Sequence, residues 1–107
     1  MKLVYIAGKY TGKTMMETKR NILLAEEAAI YVLKQGNYPV TPHLNTALFE
    51  FHCPEIKEKF WYDATLDLLE RCDAILMLPL WQDSHGARGE YMKAIELKLL
   101  ISFYKCS

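Results

Sequence analysis

Ala74-Ile75-Leu76-Met77-Leu78-Pro79-Leu80-Trp81-Gln82-Asp83-Ser84-His85-Gly86-Ala87-Arg88-Gly89-Glu90 is the stretch that decides how this chain is read. It opens on an unbroken apolar run of strand length closed by Pro79, the pattern of a strand covered on both faces of a parallel sheet. Ser84 then supplies an N-cap, because its hydroxyl can accept an orphan amide hydrogen from the first turn of a following helix. Gly86 and Ala87 leave the entrance of that helix nearly bare, so that a ligand can approach its backbone amides. At about 100° per residue, Gly86, Glu90, Ala94 and Leu97 share one side, and Ala87, Tyr91, Ile95 and Leu99 continue the apolar arc. Glu90 thus falls at the edge of the buried face, opposite Lys93 and Glu96 on the solvent side. A carboxylate at the mouth of a parallel sheet is a candidate nucleophile or base. On pattern alone, a rim glutamate paired with Arg88, Lys93 or Lys98 accounts for it equally well.

Outward from this stretch, the same alternation recurs. Leu3 to Ala7 is a short β-rich run closed by Gly8, and Met15 to Gln35 carries Ile22, Ala25, Ala29, Val32 and Leu33 at helical spacing before a stop at Gly36. Tyr38-Pro39-Val40 starts a second strand, with the proline favouring its beginning or an edge. Thr41 to Pro54 has no period and reads as a long loop with one helical turn around Asn45 to Phe51. Glu55 to Arg71 is a second long helix whose inward side is read as Ile56, Phe60, Asp63, Leu66 and Leu69, flanked by Trp61 and Leu68. Asp63 is thereby a second carboxylate facing inward. A helix from His85 to Leu99 and a last strand from Leu100 to Tyr104 complete the chain. The order predicts an α/β fold, a small flavodoxin-like or Rossmann-like three-layer sandwich around a parallel sheet of about four strands, with right-handed crossovers. Ligands of such sheets bind beyond the carboxyl ends of the strands. That edge collects Gly8 to Thr14, Thr41 to His43 and Leu80 to Glu90.

Composition bounds the function classes. A chain of 107 residues is expected to form a single domain, residues 1–107, and can bury a core without staples. Lys plus Arg equals Asp plus Glu at 13 each, which argues against a nucleic acid polymer or an acidic membrane surface as partner. Cys53, Cys72 and Cys106 are odd in number and lack the paired spacing of a zinc site or a disulfide framework. A reduced, cytoplasmic protein is expected. No apolar run has the length of a membrane span, and the N-terminus starts on a strand pattern without a signal-peptide layout. High apolar content in so small a chain, with short strands leaving edges and faces poorly covered, points to a homodimer.

Three further features compete for a role. Ala7-Gly-Lys-Tyr-Thr-Gly12-Lys13-Thr14 loosely fits a phosphate loop, in which amides near Gly12 would cradle phosphates, Lys13 would reach the terminal ones and Thr14 would hold magnesium. Against it, the strict first glycine is displaced, and no later strand ends in an acidic residue suited to magnesium. His43 ends the second strand and either touches a ligand or caps a loop. Trp81 either stacks on a planar base or covers the core. His52 with Cys53 has no second pair to complete a metal site, so no metal is expected.

Taken together, Tyr5-Ile-Ala-Gly8 with Tyr10, Asn21 with its run of alanines, Pro42-His43, Cys72-Asp73-Ala-Ile, Trp81 and Ser84-x-Gly86-Ala87-x-x-Glu90 resemble the nucleoside 2-deoxyribosyltransferase-like superfamily. The nearest match is its small branch described as a domain of unknown function. The resemblance spans nearly the whole chain, and its Ser-x-Gly-Ala-x-x-Glu part is the most specific. It implies a nucleoside or nucleotide substrate, no cofactor, a homodimer, and chemistry at the N-glycosidic bond in which Glu90 attacks the anomeric carbon. It also implies that Gly8, Tyr10, His43, Trp81, Ser84, Gly86 and Ala87 shape the pocket. Thr65 stands where an aspartate eight residues before Asp73 is common, and Lys9 where a proline is common. Asp63 and Asp67, flanking Thr65, are the candidates for the acid that protonates the departing base. A non-catalytic nucleotide-binding or sensing module with the same pocket is the alternative from another class.

Overall fold

The computed structural model describes residues 1–105, so that Cys106 and the question of its pairing lie outside the described residues. Strands β1 (Leu3–Ala7), β2 (Tyr38–Val40), β3 (Ala74–Met77) and β4 (Leu100–Phe103) form one four-stranded sheet in the order β2-β1-β3-β4. Every pair is parallel, with Tyr5 in register with Val40 on one side and Ile75 on the other. The helices are α1 (Met15–Lys34), α2 (Pro42–Asn45), α3 (Glu58–Leu69) and α4 (His85–Glu96), with 3₁₀ turns at Phe49–Phe51 and Trp81–Asp83. The α/β sandwich expected from the sequence is therefore the fold.

Strand alternation divides the core in two. Val4, Ile6, Ala74, Leu76 and Leu78 meet Ala25, Ala28 and Val32 of α1 on one face. Tyr5, Ala7, Ile75 and Met77 meet Leu69, Cys72 and Ala94 on the other, under α3 and α4. Small residues on α1 let it lie close to the sheet, and Thr14 caps it by accepting from the Glu17 amide. The helix stops at Gly36, which takes φ +84 while the Asn37 amide bonds back to the Val32 carbonyl.

Two phases differ from the sequence reading. On α1, Leu33 is 52% exposed, and the buried set is Thr18, Ala25, Ala28, Ala29 and Val32. On α3, Leu69 is buried and Trp61, Tyr62, Thr65, Leu66 and Leu68 are half-buried, while Phe60 and Asp63 point to solvent. Three successive aromatics, Phe60-Trp61-Tyr62, carry no periodic signal, and tight packing of Tyr62 against α4 fixes the rotation instead. A Cβ placed on Gly89 would fall 1.9 Å from the Tyr62 hydroxyl, so the bare Gly89 backbone is what lets the end of the Tyr62 ring lie against α4. No helix among the described residues is long and apolar enough to cross a membrane.

Candidate active site

Glu90 is the organising residue. Ser84 caps α4, its Oγ accepting from the Ala87 amide at 3.1 Å, and this places Glu90 on the second turn over the sheet. The helix is entered through Leu80, a non-glycine residue at φ 65, followed by the 3₁₀ turn at Trp81–Asp83. Glu90 is only 8% exposed, and the hydroxyl of Tyr5, itself fully buried on β1, donates to its Oε2. Neither Arg88 nor Lys93 forms the rim pair considered above: Arg88 bonds the Gln82 carbonyl at 2.6 Å, and Lys93 pairs with Glu70 at 3.1 Å.

The environment decides the protonation states. Burial pushes the Glu90 carboxyl up to about 7, and the hydrogen bond from Tyr5 and the nearby Thr65 hydroxyl pull it only partly back. Burial, then the Glu90 carboxylate beside it, push the Tyr5 phenol well above its ordinary value, so Tyr5 keeps its proton and remains a donor. Thr65, whose hydroxyl donates to the Tyr62 carbonyl at 2.9 Å, stands beside both groups. The site is thus a buried carboxylate flanked by a phenol and a secondary alcohol. Neither Tyr5 nor Thr65 is among the site residues expected from the sequence: Tyr5 enters there only as part of an apolar strand motif, and Thr65 only as the position where the resemblance expects an aspartate. Tyr5 sits inside an apolar strand, where a core aromatic and a carboxylate partner look alike. Its place in the Tyr-Ile-Ala-Gly element was the available signal.

The carboxylates proposed as acids lie elsewhere. Asp63 is not on the inward side of α3; it pairs with Lys59 at 2.6 Å on the solvent side. Asp67 is likewise exposed, and its backbone carbonyl holds Arg71. The α3 residue that faces Glu90 is the threonine between them.

The remaining candidates line the carboxyl edge or brace it. Gly8 packs where a Cβ would meet Leu78 at 2.6 Å, whereas Gly86 has nothing nearer than the Ser84 Oγ at 3.9 Å and keeps the α4 entrance open. Ala87 is buried beneath it. Tyr10 is a brace: its hydroxyl donates to the Glu50 carboxylate (2.9 and 3.0 Å) and accepts from the Leu48 amide at 2.8 Å, while Asn21 holds its carbonyl. His43 stacks edge-on against Tyr10, its Nε2 bonds the Lys9 carbonyl at 3.1 Å, and its buried Nδ1 has no partner. Burial lowers its pKa, which keeps the ring neutral at pH 7. Trp81 lies over Tyr91 at 4.5 Å and near Phe103, covering the core. A cavity of about 560 Å³ lies away from Glu90, along the outer edge of β2 between α1 and α2.

The phosphate-loop reading meets a physical obstacle. The Gly12 amide is bonded to the Thr18 hydroxyl at 2.9 Å and the Lys13 amide to the Glu17 carboxylate at 3.0 Å, while the Thr14 hydroxyl caps α1. The amides that would receive phosphate are taken, one of them by a negative charge. Among the described residues no group of His, Cys, Asp and Glu is arranged to hold a metal ion.

A family profile described as "Domain of unknown function (DUF4406)" matches residues 2–103. The chain belongs to the DUF4406 family. No curated protein matches it in sequence. The DUF4406 chain superposes on the 2-deoxyribosyltransferase of the psychrotolerant bacterium Bacillus psychrosaccharolyticus with a TM-score of 0.65, over 94% of this chain and 70% of that one, at 15% identity. It is a small DUF4406 version of the deoxyribosyltransferase fold, with Ser84 to Glu90 at the carboxyl end of the strands.

Proposed function

We propose that this protein binds a nucleoside or nucleotide over the carboxyl edge of its sheet and cleaves the N-glycosidic bond with Glu90 as nucleophile. The observation that carries the reading is the buried Glu90 carboxylate held by the Tyr5 hydroxyl under the open entrance of α4. A carboxylate stripped of water and fixed by one donor is oriented without losing nucleophilicity to full solvation. Its oxygen bonds the anomeric carbon while the bond from that carbon to the base nitrogen breaks. The electron pair leaves with the base, which takes a proton from solvent. Water or a second base then attacks the same carbon and frees Glu90. The Ser84 hydroxyl and the open backbone at Gly86, over the buried Ala87 whose small side chain keeps the entrance clear, receive the 5′ end of the sugar or its phosphate at the helix N-terminus, where partial positive charge favours an anion. Because the ionised carboxyl is the reactive form, the rate rises with pH through about 7.

Thr65 favours one second reading. An alcohol beside Glu90 cannot replace a carboxylic acid in protonating the departing base, which fits a binding or sensing module that holds nucleotides without turnover. Incubation with a panel of nucleosides and 5′-monophosphates, followed by chromatography for free base, separates the two. Base release from any member supports the glycosidase reading. Saturable binding without release supports the module, and neither binding nor release overturns both.

A further inference from the structure

The outward face of α1 is patterned as if for a second copy of itself. Its inward side, through Ala25, Ala28 and Val32, already covers one face of the sheet. On the opposite side Met16, Leu23 and Ile30, each seven residues from the next, form an apolar stripe that is 64%, 62% and 45% exposed. Seven residues is close to two helical turns, so the three side chains line up along the axis. Lys19, Arg20, Glu26 and Glu27 flank the stripe, and all four are exposed. Their placement is symmetric about Leu23: the two cations lie four and three residues before it, and the two anions three and four residues after it.

We infer that α1 pairs antiparallel with α1 of a second copy across a two-fold axis at Leu23. That operation sets Leu23 against Leu23 and Met16 against Ile30 of the second copy. At about 100° per residue, Lys19 and Glu26 lie on one flank of the stripe and Arg20 and Glu27 on the other. A two-fold axis perpendicular to the helices keeps each flank on its own side. Lys19 therefore meets Glu26 of the second copy, and Arg20 meets its Glu27, each offset by about one residue's rise of about 1.5 Å. Every cation faces an anion, and no like charges are opposed. A parallel pairing, whose two-fold runs along the helices and exchanges the flanks, would instead set Lys19 against Arg20 and Glu26 against Glu27 of the second copy. The Glu27 Oε2 already accepts from Tyr104 at 2.8 Å, which steadies that carboxylate on the outer surface. Beside the stripe, the 560 Å³ cavity is lined by Ile30, Leu33, Tyr38 and Leu44, and it opens where Met15 of the second copy arrives. Such a contact is isologous and self-limiting, closing at two copies.

Sedimentation velocity on the full chain tests this over concentrations up to about 100 μM. The wild type is expected to sediment as a dimer that weakens as salt is raised. The double variants Lys19→Glu/Arg20→Glu and Glu26→Lys/Glu27→Lys each turn all four cross-pairs into like-charge contacts, and each should self-associate at least about thirtyfold more weakly. Mixed in equal amounts, the two should form a heterodimer, which loss of folding in either variant would prevent. Tyr104→Phe, which loses the Glu27 bond without a change of charge, should remain a dimer. A monomeric wild type, or charge variants that dimerise as tightly as wild type, would overturn the assignment. So would a mixture of two folded variants, checked by circular dichroism, that stays monomeric.

Discussion

Replacing Glu90 with glutamine should make the protein more stable above neutral pH relative to acid, and the size of the effect follows from the burial of this carboxyl. An unfolded-chain glutamate titrates at 4.5, whereas folding holds Glu90 at about 7. Below 4.5 both states are protonated and the group contributes no pH dependence. Between 4.5 and about 7 the unfolded chain has released its proton and the folded one has kept it, so the folded state binds more protons and stability falls as pH rises. At about 1.36 kcal/mol per pH unit, the loss across that window is about 3 kcal/mol, and it levels off above it. Glutamine has nearly the same shape, accepts from Tyr5 through its carbonyl and offers its amide to Thr65, yet never ionises. The difference in unfolding free energy between variant and wild type should therefore swing by about 3 kcal/mol in favour of the variant between pH 4 and pH 8. Urea unfolding followed by circular dichroism at several pH values measures it, and the comparison cancels His43 and the other titrating groups common to both proteins. A difference that stays flat to within about 1 kcal/mol, or that swings the other way, would refute the assignment of a desolvated carboxyl.

Other expectations follow from the same geometry. Tyr5→Phe removes the donor to Glu90, and should cost about 1–3 kcal/mol of stability at pH 8 and move the pH midpoint of any base release upward; an unchanged pH profile would count against the pair. Gly89→Ala sets a methyl against the Tyr62 hydroxyl and must displace that ring, so in urea titration it should stabilise the protein less in the wild-type background than in a Tyr62→Ala background, where only the helix-interior gain of about 0.5–1 kcal/mol remains; equal effects in the two backgrounds would count against the contact. Lys13→Ala should leave nucleoside triphosphate binding, measured by calorimetry, unchanged, because the neighbouring amides are already bonded within the loop.

The strands and long helices were legible because their signals are local. Leu3 to Ala7 and Ala74 to Leu78 are apolar runs bounded by glycine or proline, and Gly36 marks the end of α1. The Ser84 cap and the phase of Glu90 were likewise readable from a single helix. What the sequence hid was contact between distant segments. Tyr5 and Glu90 are 85 residues apart, and nothing in an apolar strand announces that one hydroxyl will meet a carboxylate. Asp63 was read inward because Ile56, Phe60, Leu66 and Leu69 suggested that phase, yet α3 is turned so that Tyr62 fits against Gly89, and Thr65 takes the inner position. Tyr10, read as lining the pocket, is drawn instead to Glu50 and Leu48 in a loop without any period.

The most direct test of the central claim is mass spectrometry of the acid-quenched protein after incubation with a nucleoside or nucleotide that releases base. A sugar adduct is expected on the peptide that carries Glu90, and neither adduct nor base release from a folded Glu90→Gln protein. Turnover by Glu90→Gln at the wild-type rate, or an adduct on another residue, would contradict it.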